Sequence, residues 1–227
     1  MAAESVRRLW LMRHADVSYF DPSGRAVPPR LVPLTERGRV QAQAVQRALR
    51  NVAFDRCITS GLPRTIETAE IVLEGRSVPI ETREGLREIE GGRLADIARE
   101  QLHDEIAGAF QGLAPERRFL GGESFRDFLQ RVHRVFDELV ADESWRQLLV
   151  VAHGGTNRAV LGRVLRAEYD AFAALEQDPA CVNLIEVAHG HLVVRLCNAT
   201  PYDPAKTELR SSTLADYAEQ ALRWLGG

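Results

Sequence analysis

Two histidines, each following a run of apolar residues, are the side chains of this sequence best placed for chemistry. Leu9-Trp10-Leu11-Met12 ends in Arg13-His14, and Leu148-Leu149-Val150-Val151-Ala152 ends in His153-Gly154-Gly155-Thr156. Short apolar runs bounded in this way fit buried strands of a parallel sheet, although a buried helix segment has the same pattern. Open α/β sheets place their ligands at the carboxyl ends of strands. Two such ends can open on the same edge, so distance in sequence is no obstacle to contact. Arg64 lies near the start of a helix expected after another strand. Two guanidiniums and two imidazoles converging near helix N-termini describe a site for a phosphate-sized anion. Taken singly, Arg64 reads as a surface charge and His153 as a satisfied core histidine. The conjunction at equivalent strand ends carries the reading.

The elements that must position these residues follow from pattern. Val17 to Pro33 is a long loop, with Pro22, Gly24, Pro28, Pro29 and Pro33 restricting or freeing φ. Thr35 caps a helix carrying Val40, Ala44, Val45, Ala48 and Leu49. Phe54 to Thr59 is a second strand; Ser60 as a cap and Pro63 in the first turn announce a helix through about Leu73. Val78 to Thr82 is a third strand. From Glu84 to Gly122 the pattern loosens, with Leu94, Ile97, Leu102, Ile106 and Phe110 suggesting short helices, and this segment reads as an inserted cap. Gly121-Gly122 could serve as a hinge or as a plain turn. Phe125, Phe128, Leu129, Val132, Val135, Phe136, Leu139 and Val140 then mark the clearest amphipathic helix, with Glu123 and Ser124 at its start. A helix through Leu165, paired strands Val182 to Val187 and Leu192 to Cys197 around Gly190, and a C-terminal helix through Leu214, Tyr217, Ala218, Ala221, Leu222 and Leu225 complete the chain. Alternating strands and helices predict an α/β sheet covered on both faces.

Composition narrows the function classes. The 227 residues are 45% hydrophobic and 27% charged, which are globular values. A net charge of −3 supplies no basic field for nucleic acid or an anionic membrane. Lys206 is the single lysine, a bias with no functional meaning. Cys57, Cys181 and Cys197 are odd in number and lack zinc spacing, so a reduced, metal-free, cytoplasmic chain is expected. The apolar stretch after Arg7-Arg8 is too short for a signal peptide, and no run approaches the ~18 residues of a membrane span. Of the remaining histidines, His103 and His133 fall on polar helix positions, and His189 and His191 flank a turn.

The chain resembles the histidine phosphatase superfamily, also called phosphoglycerate mutase-like. The resemblance rests on Leu11-Met12-Arg13-His14-Ala15, Leu34-Thr35-Glu36-Arg37-Gly38, Ser60-Gly61-Leu62-Pro63-Arg64 with Thr68, Leu86-Arg87-Glu88, Gly122-Glu123-Ser124 and Val151-Ala152-His153-Gly154-Gly155, in family order. It implies a three-layer α/β/α sandwich with a mostly parallel central sheet, a single domain over 1–227 with a helical cap inserted at about 84–122. It implies His14 as nucleophile, Arg13, Arg64 and His153 as holders of the phosphoryl oxygens, Glu88 as the acid and then the base, and Gly154 as a further substrate contact. No metal and no cofactor are required, and the partner is a small phosphorylated substrate; the oligomeric state is not fixed by sequence.

Several positions depart from the family pattern. Ala15 stands where Gly is commoner, and Phe20 stands where the family often has a phosphate-binding Asn, for which Ser18 is the candidate substitute. The Gly-Trp-x-Asp and acidic-Arg-x-Tyr segments of the mutase branch are absent, which favours hydrolysis over phosphoryl return. Tyr19, Phe20, Phe110 and Phe119 lie in the loop and cap, where they could cover an organic leaving group or simply pack the cap. The competing readings are a phosphoglycerate-type mutase and a silent phosphate-binding or scaffolding protein.

Overall fold

Strand β1 (Arg7–Arg13) lies inside the sheet, parallel to β4 (Gln147–Ala152) on one side and antiparallel to β5 (Val182–Ala188) on the other. Strand β2 (Arg56–Thr59) pairs in parallel with both β4 and β3 (Ile80–Thr82), and β6 (His191–Ala199) pairs antiparallel with β5. The order is therefore β3-β2-β4-β1-β5-β6. The computed structural model describes residues 6–207 without 22, 24, 26, 94–96, 99, 100, 102–104, 107 and 189, and then 218 and 219. Pro22, Gly24, Leu94, Leu102, His103, His189 and most of the expected C-terminal helix, including Leu214, Tyr217, Ala221, Leu222 and Leu225, lie outside the described residues.

Alternation along the strands builds a core on each face. Leu9 and Leu11 join Leu148 and Val150 on the face covered by α3 (Phe125–Ala141) and by Ala159, Val160 and Leu161 of α4 (Gly154–Leu165). Met12 joins Leu149 and Val151 on the other face, against Ala42 and Val45 of α1 (Glu36–Ala48) and Ala69 and Val72 of α2 (Pro63–Val72). The result is a three-layer α/β/α arrangement. Each fully buried Leu or Met contributes about 1.5–3 kcal/mol.

Two helices also brace the turn after β1. The Thr35 hydroxyl caps α1 by accepting the Gly38 N–H at 3.0 Å. A Cβ at Gly38 would lie 2.3 Å from the Asp16 carbonyl oxygen, so only glycine lets α1 approach this turn. Gln41 accepts the Asp16 N–H at 3.0 Å, and Thr68 of α2 accepts the Ala15 N–H at 3.1 Å.

Segment 84–122 begins with a 3-10 turn at Glu84–Leu86, and another lies near its end at Phe119–Gly121. Gly121 and Gly122 form a packed turn. The Gly92 N–H donates to Leu120 O at 3.1 Å, the Glu123 N–H donates to Glu90 O at 2.8 Å, and a Cβ on Gly122 would meet Glu90 O. Ser124 caps α3, accepting the Asp127 N–H at 3.1 Å. Expectation and structure part at Ser60. Helix α2 takes Leu62 as its N-cap with no side-chain cap bond, because leucine has no acceptor to offer, and Pro63 follows at the first turn, where its missing N–H costs nothing. The Ser60 hydroxyl is turned elsewhere.

Candidate active site

Strand β1 ends at Arg13, and His14 follows it with its backbone N–H donating to Ala152 O at 3.0 Å and its carbonyl accepting from Ala180 at 3.1 Å. The ring Nδ1 lies 2.8 Å from the Ala15 carbonyl. A carbonyl only accepts, so Nδ1 carries the proton and the neutral ring presents a lone pair at Nε2. Burial, then the charges of Arg64 and Arg13, hold the His14 pKa well below the usual histidine value. His14 is thus a neutral, oriented imidazole 3% exposed to solvent.

His153, which follows β4 and stands at the N-cap position of α4 without a side-chain cap bond, meets His14 edge to face, with ring centroids 5.2 Å apart. Its protonation follows from a chain of hydroxyls. Thr65 Oγ1 donates to Leu62 O at 2.8 Å, so Ser60 must donate to Thr65 across 3.1 Å, and Ser60 Oγ is left to accept from His153 Nε2 at 2.8 Å. Nδ1 of His153 is then the bare nitrogen, buried and without a hydrogen bond. Burial, followed by Arg64 and His14, also lowers its pKa well below the ordinary value.

Arg64 is 2% exposed, donates Nη1 to Pro29 O at 2.7 Å and keeps a buried Nε without a partner. It ties the long loop to the site, and Tyr19 of that loop lies with its ring centroid 6.0 Å from the guanidinium carbon. Arg13 donates Nη1 to Gln177 O at 2.6 Å. Gln177 is itself fixed by a buried network: its Nε2 donates to Asn183 Oδ1 at 3.1 Å, and Asn183 Nδ2 donates to Leu11 O at 3.0 Å.

Glu88 reaches the same place from the chain just after the 3-10 turn at Glu84–Leu86. Its Oε2 accepts the Gly155 N–H at 2.8 Å, one residue into α4, and its Oε1 accepts the Ile89 N–H at 3.0 Å. A Cβ at Gly155 would lie 2.4 Å from Oε1, which accounts for a glycine there. The neighbouring carboxylates are occupied: Glu84 holds Arg87 at 2.7 Å and Glu90 holds Arg30 at 2.8 Å.

Arg13, Arg64, Glu88 and Gly154 line one cavity of about 510 Å³, whose walls include Tyr19 and Phe119. His14 and His153 are not among its lining residues, and neither is Ser18. The Ser18 hydroxyl donates to Phe20 O at 2.6 Å.

Sequence pattern left several supporting residues unassigned. Arg131 of α3 donates to the carbonyls of Gly85, Arg87 and Glu88 at 3.0, 2.6 and 3.0 Å, and it grips both oxygens of Glu123. It fixes the backbone that presents Glu88. Arg158, on the turn of α4 after His153, lines the cavity. Ser60 and Gln177 complete the set. The only signal for Arg131 was an arginine on an amphipathic helix, which ordinarily means solvent.

Residues 9–200 match the histidine phosphatase superfamily, branch 1. The chain belongs to that family. Among its relatives, the adenosylcobalamin/alpha-ribazole phosphatase of Salmonella typhimurium is 30% identical over 199 residues, covering 85% of this chain and 96% of that one. The 2,3-bisphosphoglycerate-dependent phosphoglycerate mutase of Cytophaga hutchinsonii is 34% identical, over only 57% of this chain and 64% of its own length. The crystal structure of the alpha-ribazole phosphatase of Shigella flexneri superposes with a TM-score of 0.71 at 26% identity, covering 85% of this chain and 96% of that chain. The histidine phosphatase fold thus extends over both halves of the sheet. Among the described residues, no three His, Cys, Asp or Glu side chains are grouped as a metal site needs, and no helix is long and apolar enough to cross a membrane.

Proposed function

We propose that the chain is a phosphomonoesterase that hydrolyses small phosphorylated substrates through a phosphohistidine on His14. The observation that carries the reading is the protonation of His14: Nδ1–H is committed to the Ala15 carbonyl, so Nε2 is free to attack. Nε2 forms the bond to phosphorus as the ester P–O bond breaks, and protonated Glu88 gives its proton to the departing alkoxide. Arg13 and Arg64 hold the phosphoryl oxygens and offset their charge, and Gly154 supplies backbone at the helix N-terminus. His153 joins them with its bare Nδ1 protonated, the bound anion favouring the imidazolium that burial and the arginines disfavour in the empty site. Water then attacks phosphorus, the Glu88 carboxylate takes its proton, and the P–N bond breaks to release phosphate and restore neutral His14. Segment 84–122 serves as the cap, since Glu88, Phe110 and Phe119 within it face the cavity. A cytoplasmic setting suits three free thiols.

Hydrolysis is favoured over mutase chemistry by the missing mutase segments and by phosphatase relatives that match a larger share of the chain. The test is a mass balance in labelled water. A phosphatase releases one alcohol and one phosphate carrying a solvent oxygen. A mutase transfers the phosphoryl group to an added alcohol in preference to water, and a silent scaffold releases nothing.

A further inference from the structure

We propose that the alcohol released from the substrate is uncharged and carries an apolar body about the size of one or two rings. This rests on the phosphatase reading, which puts the phosphoryl group at Arg13 and Arg64. The rest of the cavity is then the leaving-group compartment, and its described walls are mostly apolar, including Leu62, Ile89, Phe110, Phe119 and Leu120. Phe110 and Phe119 are stacked, with centroids 6.1 Å apart and planes 30° from parallel. Such a surface gains from a ring laid against it.

Charge decides between a neutral and an acidic alcohol. Three more arginines line this compartment, and each already has a carboxylate. Arg30 Nη2 lies 2.8 Å from Glu90, Arg87 Nη2 lies 2.7 Å from Glu84, and Arg158 Nη2 lies 2.8 Å from Glu176. Arg158 is also held over the ring of Phe110, its guanidinium carbon 5.0 Å from the centroid. Its Nε donates to Leu175 O, so the side chain is fixed along its length. Glu90 adds a carboxylate to the lining. A carboxylate or second phosphate on the alcohol would lose water, face the Glu90 carboxylate, and compete at each of these three cations with a carboxylate already in place. A neutral ring has no such cost.

Phosphonates read this preference without turnover. Calorimetric titration should give benzylphosphonate an affinity at least ~10-fold above that of methylphosphonate, from burial of the ring. It should also bind at least ~10-fold more tightly than 4-carboxybenzylphosphonate, which adds one carboxylate to the ring. Phe119→Ala should shrink the first ratio and leave methylphosphonate unchanged. Glu90→Gln and Glu176→Gln, by freeing Arg30 and Arg158, should shrink the second. Equal affinity for the benzyl and methyl compounds, or for the benzyl and carboxybenzyl compounds, would overturn the proposal. Failure of all three to bind would refute the phosphoryl site itself, and phosphate release from benzyl phosphate tests hydrolysis separately.

Discussion

His14 and His153 are buried imidazoles whose neutral forms are favoured by burial first and by neighbouring cationic side chains second. An unfolded histidine titrates near 6.5, so below that value the unfolded chain binds protons that these two rings in the folded state refuse. Their contribution is complete above about pH 6.5 and is lost as pH falls toward the lower folded values. Denaturant titrations at about pH 7.5 and about pH 5.5 should therefore show a stability loss that is smaller in His153→Gln than in the wild type. An identical loss would show that His153 is not held neutral. Glu88 carries a second prediction at this scale. An alkoxide needs a proton as it leaves, whereas nitrophenolate does not, and general acid catalysis is typically worth ~10²–10⁴-fold. Glu88→Gln should slow phosphoenzyme formation by that order for an alkyl phosphate and only mildly for nitrophenyl phosphate. Dephosphorylation should slow equally after either substrate. Equal slowing of the first step for both substrates, read by pre-steady-state kinetics, would remove the acid role.

At the scale of elements, local pattern was informative where one segment sets its own structure and misleading where a partner sets it. The Thr35 cap, the apolar stripe of α3 and the hairpin at Gly190 were legible, because each depends on neighbours in sequence. Ser60 looked like a cap by position, yet its hydroxyl serves His153, which arrives from β4. Arg131 carries no signal in the local pattern, yet it holds three carbonyls of the segment around Glu88. Neither partner can be read from a single helix. Close approach at Gly38 gives this scale its prediction. An alanine Cβ there would press on the Asp16 carbonyl, which belongs to the turn after His14. Gly38→Ala should cost roughly 1–3 kcal/mol of stability and lower kcat as that turn shifts. Thermal unfolding and steady-state rates together check it, and a variant as stable as the wild type would contradict the tight packing.

For the molecule as a whole, the ends of two neighbouring parallel strands in one mixed sheet explain how residues far apart in sequence meet. β1 and β4 are hydrogen-bonded neighbours, with Arg13 opposite Ala152, so His14 and His153 emerge side by side. That much was legible from two apolar runs. The buried network of Gln177 and Asn183 behind Arg13 was not, because it joins a loop to β5 through polar contacts that leave no periodic trace. The same adjacency makes the choice between the two histidines the central claim, since either ring could in principle receive a phosphoryl group. Rapid quench of the enzyme with labelled substrate, without acid, addresses it most directly. The account predicts an acid-labile, base-stable phosphoenzyme in the wild type, with the label mapped to His14 and absent from His14→Ala. Label that persists in His14→Ala and disappears in His153→Ala would contradict it.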